Sequence, residues 1–201
     1  MKSLLRRIIS LIKSISKWVR RTIAWLTMIL VMILKRIIII IGSINEWIGR
    51  SVAWLTMILV IIVCVDITRR KLFNETATWI LELEWHLFAL IFLLGAGYAL
   101  KHDRHVRVDL FYSKFTPRDK AWVNLLGSVL FLIPWCVLIF YTSYFYAMES
   151  FQINESSPNP GGLPARYLIK GAITVGVGLL LLQAIAVVAE STLTLLGKNT
   201  E

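Results

Sequence analysis

The sequence predicts an all-α integral membrane protein: four transmembrane helices preceded by a basic, amphipathic N-terminal arm at the membrane interface. Three observations carry this reading. Of 201 residues, 57% are hydrophobic, and the mean hydropathy of +0.71 suits a multi-span protein. Four apolar runs approach or exceed the roughly 20 residues needed to cross a hydrocarbon core, longer than a water-soluble all-α protein requires. The formal net charge of +10 is massed beside those runs. That placement points to anionic headgroups and a positive-inside bias, and away from nucleic acid. Eight Trp add to it, since Trp47, Trp79 and Trp122 flank predicted spans where interfacial aromatics belong.

The arm comes first. Residues 6–31 recur 29 positions later as residues 35–60, and the run AWLTMILV is identical at 24–31 and 53–60. This is a tandem duplication, with too few copies for a solenoid. Residues 4–19 place Leu4, Leu5, Ile8, Ile9, Leu11, Ile12, Ile15, Trp18 and Val19 at helical spacing, with Lys, Arg and Ser in most positions between. Such a helix should lie in the cytoplasmic membrane surface, presenting Arg6, Arg7, Lys13, Lys17, Arg20 and Arg21 to lipid phosphates. A signal peptide is excluded by the long basic lead and by Lys35-Arg36 where small cleavage-site residues should stand. The same pair would sit near the middle of any span drawn from 23 to 41, which argues against an extra crossing.

The first span is read at about 48–67, with only Arg50 and Asp66 charged, both near its ends. Asp66 lies one turn from Arg69 and Arg70, so a local ion pair is expected. The second span, about 79–100, carries Glu82 and Glu84 at its mouth. It holds the small residues Gly95, Ala96 and Gly97, which would admit a second helix closely. A basic loop follows to Lys120, and Thr116-Pro117 starts the next helix. The third span, about 122–146, has Pro134 near its middle and should kink there. Residues 154–164, NESSPNPGGLP, are loop chemistry. The fourth span is about 167–188. The chain divides into an extension (1–46), a four-span domain (47–190) and a polar tail (191–201). Lys and Arg beside the spans number nine from Arg6 to Arg50 (leaving out Lys2) and six in 101–120, against three (Arg69, Arg70, Lys71) and one or two in the opposite loops. Both termini are therefore expected in the cytoplasm, although the 69–71 cluster runs against the rule.

Chemistry is sparse. Glu82 and His86 share a helix face and by residue type could relay protons, but their place near the helix start favours an interfacial contact or cap. His102, Asp103, His105 and Asp109 contain metal-ligating types, yet their spacing matches no zinc-hydrolase pattern. Cys64 and Cys136 stand far apart in apolar runs and read as packing residues. No phosphate loop, nucleophile elbow or HExxH is present. Polar interruptions at mid-membrane depth, which broken-helix transport sites need, are almost absent. The protein is expected not to translocate anything alone.

With these residues laid out, Glu82-Leu83, LGAGYALKHDRHVRVDLFY (94–112), PGGLPARYLIK (160–170) and LLLLQ (179–183) resemble the small, DctQ-like membrane subunit of tripartite ATP-independent periplasmic (TRAP) transporters, in the branch associated with mannitol or chloroaromatic compounds. The resemblance covers roughly 40–190. It implies a four-span inner-membrane subunit that binds a large membrane subunit. The large subunit would hold sodium and substrate sites and move elevator-fashion, fed by a periplasmic binding protein carrying an organic acid such as a 2-oxo acid. It implies no enzymatic activity and no cofactor. An interface or membrane-boundary role is expected for Glu82, His86, Gly95, Gly97, His105, Arg107, Asp109, Gly161, Gly162 and Pro164. Thr174 stands where the family often has Pro, and the first 34 residues lack a family counterpart. A start at Met28 or Met32 would restore the usual length. The alternative is a small membrane enzyme or redox protein using the His102–Asp109 cluster.

Overall fold

A computed structural model of the chain describes residues 2–102, 112 and 114–198, with side chains from residue 16 onward. The elements are α1 (Lys2–Phe73), α2 (Thr78–Lys101), α3 (Pro117–Gly127), a π-helical turn (Ser128–Leu132), α4 (Ile133–Gln152) and α5 (Tyr167–Leu195). Four helical stretches are long and apolar enough to cross a membrane: Ser16–Phe73, Thr78–Lys101, Pro117–Gln152 and Tyr167–Leu195. Each contains one of the spans read from sequence, and no strand occurs among the described residues.

α1 runs for 72 residues, about 108 Å at 1.5 Å per residue. No proline interrupts it, and it passes residues 46–47 without a break, so the extension and first span form one continuous helix. It stops at Asn74, whose left-handed φ of 56° is a common way to leave a helix. α3 begins as its sequence indicates. Thr116 caps the helix, receiving the Asp119 N–H at 3.3 Å while the Asp119 carboxylate accepts the Thr116 N–H at 3.2 Å, with Pro117 in the first turn.

Pro134 has its effect one turn upstream. Its ring displaces the Leu130 carbonyl from regular pairing, and the chain adapts through the Ser128–Leu132 π turn. There Ile133 N–H donates five residues back to Ser128 O. α5 continues to Leu195, so the first residues of the expected polar tail are helical, with Ser191 and Leu193 buried.

α5 is the centre of the bundle and packs against every other helix. Its buried face is mostly small: Ala172, Gly176, Ala184, Ala186, Ala189 and Ser191. Lipid chains are as apolar as leucine, so helices in a membrane gain from close packing and hydrogen bonds instead of from hydrophobic burial. Gly176 lets α5 touch α2, where an added Cβ would lie 2.7 Å from the Leu93 carbonyl oxygen. Gly49 does the same for α1, leaving room for the Tyr98 ring, which an added Cβ would approach to 2.3 Å.

Candidate functional site: two polar locks at opposite ends of the bundle

The first lock closes the α4–α5 loop over α2. Three left-handed residues bend the loop, Asn154 (φ 45°), Gly161 (φ 71°) and Ala165 (φ 61°). Gly162 then passes so near the Glu82 carboxylate that an added Cβ would lie 2.8 Å from Oε2 and 2.4 Å from Ser157 Oγ. Glu82 is only 4% exposed. Its Oε1 accepts from the Ser157 hydroxyl and from Asn159 Nδ2 at 3.1 Å, and its Oε2 accepts from the Leu163 N–H at 2.7 Å. A carboxylate out of water is costly unless donors saturate it, and the NESSPNPGGLP segment supplies three. The loop holds its own shape through Ser157 N–H to Leu163 O at 3.0 Å and Arg166 N–H to Glu155 O at 2.9 Å. Lys170 ties its base by pairing with Glu155 and lying 3.9 Å over the Tyr146 ring. That hydrogen bond from Lys170 is the main reason the Glu155 carboxyl sits below its ordinary value.

Near this end, Asp66 is buried and takes its hydrogen bond from Arg70, as the one-turn spacing predicts, while Arg69 pairs with Glu75 at 3.0 Å. His86 does not meet the Glu82 carboxylate. Its Nδ1 faces the Glu82 backbone carbonyl at 2.5 Å and its ring stacks on Trp85 with centroids 3.9 Å apart. The acid–His relay is therefore not built; His86 packs on Trp85 and its own helix instead.

The second lock joins α1 to the far end of α2. Glu46 accepts from Lys101 Nζ, His102 Nε2 and Arg50 Nε, each at 2.8 Å. Lys101 also donates to the Gly42 carbonyl at 2.9 Å. One turn along, buried Asn45 donates to Gln183 Oε1 at 3.0 Å, joining α1 to α5. Gly97 makes room for it, since a Cβ there would lie 2.2 Å from Asn45 Oδ1.

Of the other sequence-predicted residues, Gly95 faces open space and Pro164 is exposed. Lys17, Arg20 and Arg21 are exposed on α1. His105, Arg107 and Asp109, and the side chains of Arg6, Arg7 and Lys13, lie outside the described residues. His102, the described member of the His/Asp cluster, is engaged by Glu46. Among the described residues no group of three or more His, Cys, Asp or Glu could hold a metal ion.

Asn45, Glu46 and Gln183 were given no role by sequence reasoning. Comparing the two repeat copies position by position would have found the first two. Gly42, Asn45, Glu46 and Gly49 of the second copy correspond to Lys13, Ser16, Lys17 and Arg20 of the first, so the copies differ at the positions that pack. Chemically both locks hold elements together: each central carboxylate is saturated by the protein's own donors.

A family model for the DctQ component of tripartite ATP-independent periplasmic transporters matches residues 59–194, about two-thirds of the chain. The chain belongs to this family. No curated protein matches it closely enough to add to this. It is thus a small component of a TRAP transporter and a multi-pass membrane protein, and its many outward-facing aromatics, such as Trp54, Phe92, Phe131 and Trp135, are lipid-compatible surface. The match takes in the whole Glu82 lock. Of the second lock it takes in the α2 and α5 sides, while Gly42, Asn45, Glu46 and Gly49 precede it.

Proposed function

We propose that this TRAP small component is a non-translocating scaffold subunit. It braces a large membrane subunit that imports an organic acid, a 2-oxo acid or another carboxylate, by sodium symport with a periplasmic binding protein. The observation that carries the reading is the saturation of the Glu82 and Glu46 carboxylates by internal donors, which leaves neither free to handle a passing ion or substrate. Broken helices of the kind that bind coupling ions are also missing among the described spans, where the one irregularity is the π turn beside Pro134.

The Lys and Arg distribution supports an inner-membrane orientation with both termini cytoplasmic, the Glu82 lock on the periplasmic side and the Glu46 lock on the cytoplasmic side. On this reading Gly95, which meets nothing within 4 Å in its own chain, faces the large subunit. The 105–109 segment and the outer edge of the 161–164 turn join that boundary. The basic residues from Arg6 to Arg21 rest on anionic lipid, with α1 bending in the membrane between residue 21 and the span at 48. The test is recovery of a C-terminally tagged chain from its native membrane in mild detergent, with mass spectrometry of what accompanies it. A stoichiometric, much larger multi-span protein is expected. A chain recovered alone would overturn the scaffold reading.

A further inference from the structure

Between the Glu82 lock and the close contact of Leu93 with Gly176, α2 and α5 leave a cavity of about 500 Å³ open to the side of the bundle. Its walls follow from helical spacing. Trp85, Phe88, Ala89 and Phe92 form one stripe of α2, while Ile169 and Ile173 lie one turn apart on the opposing face of α5. Ala89 is the gap in the aromatic wall that gives the groove its depth. Phe88 and Phe92 are 64% and 71% exposed, so the chain does not cover this wall itself.

Among the described residues, the only charged groups lining the groove are Arg166 and Lys170, one turn apart at its loop end. Lys170 is committed to Glu155 and Tyr146. Arg166 makes no side-chain hydrogen bond or ion pair with any described residue, and its charge is felt only at longer range by Glu82 and Glu155. A part-buried guanidinium without a partner, at the mouth of an apolar groove, is matched by a phosphate ester carrying hydrocarbon.

We infer that this groove is a phospholipid site, with one acyl chain lying along the Phe88–Phe92 wall and the headgroup phosphate paired to Arg166. The site belongs to this chain alone, so it stands or falls independently of the transporter reading.

Native mass spectrometry of the full-length chain in mild detergent, titrated with palmitoyl-oleoyl phosphatidylglycerol, reads the bound lipid directly. One tightly held lipid per chain is expected. Arg166→Gln, which removes a charge that makes no direct ion pair with a described residue, should weaken it about fivefold, the worth of one surface cation toward an anionic headgroup. Ala89→Phe should fill the groove and abolish it, at an unchanged thermal midpoint. Equal retention in both variants would overturn the inference. So would displacement of the lipid by inorganic phosphate, which would reduce the site to an anion contact. Cross-linking of Phe88→Cys to a large subunit with no lipid retained would show that protein fills the groove, and would also overturn it.

Discussion

At the scale of single residues, the glycines and the buried Glu82 carboxylate make sharply different predictions for neighbouring positions. Gly97→Ala would drive a methyl group into the Asn45 amide and should cost about 1–3 kcal/mol, partly offset by alanine's better helix propensity. Gly95→Ala, two residues away and facing open space, should be neutral or mildly stabilising in the isolated chain. Thermal unfolding of the two variants in detergent distinguishes them, and equal midpoints would refute the packing account. At Glu82, Ala leaves the Ser157, Asn159 and Leu163 donors without their acceptor, whereas Gln keeps one acceptor oxygen. Glu82→Ala should open the 154–164 loop to protease and lower the midpoint on the order of 5 °C, with Glu82→Gln in between. Unchanged cleavage in Glu82→Ala would mean the loop is held by something else.

Glu82 also shows where sequence reading stops. Its position near a helix start was legible, and so was an unusual role, but helical spacing nominates only neighbours, here His86. The true partners lie 75 to 81 residues later in a loop whose composition reads merely as turn-forming. Glu46 was harder still. A carboxylate beside Trp47 in a basic stretch looks like surface charge, and its partners on α2 and just past its end are 55 and 56 residues away. The spans themselves were readable because length and apolarity are local properties, and so were the Thr116 cap and the Asp66–Arg70 pair, which span three and four residues.

At the scale of elements, the loop between α4 and α5 depends on Glu155 as well as Glu82. With the Glu155 carboxyl held below its ordinary value near 4.5, chiefly by the Lys170 hydrogen bond, its contribution is fully present above that ordinary value. The contribution is lost as pH falls through the lower, folded value. Protease sensitivity of the loop should therefore rise at pH below about 4.5 in the wild type. Glu155→Gln should show the raised sensitivity already at neutral pH, with a flatter acid response. A wild-type profile identical to that of Glu155→Gln would remove Glu155 from the account. The elements also show how the chain accommodates Pro134. The π turn absorbs the missing donor over five residues, a compensation that a lone proline in a sequence does not announce.

At the scale of the whole molecule, the two locks sit at opposite ends of one helical bundle, and α5 fills the space between them. Such a body suits a brace, because fixing both ends of α2 to its neighbours leaves it little freedom to slide. The basic arm is the part of the molecule with most to gain from the surrounding membrane. Replacing Lys17, Arg20 and Arg21 together with Gln should weaken attachment of the full chain's arm to anionic bilayers by roughly 1 kcal/mol per charge. The effect should shrink as salt is raised. Protease protection of the arm in phosphatidylglycerol nanodiscs, compared with uncharged ones, measures it. Equal protection in both would show that the arm ignores lipid charge.

The duplicated octapeptide has a consequence for how the protein is made. The copies stand 29 residues apart on one helix, within about 20° of eight whole turns, so they present the same face at positions roughly 44 Å apart. A membrane insertion machinery that recognises apolarity meets the same octapeptide twice, the first time shortly before the Lys35-Arg36 pair. Threading the wrong one would bring Arg20 to the place where Tyr98 leaves room only for Gly49, and Lys13 to the place of Gly42. Such a chain could not close against α2. Gly49 thus enforces a choice that the identical octapeptides leave open.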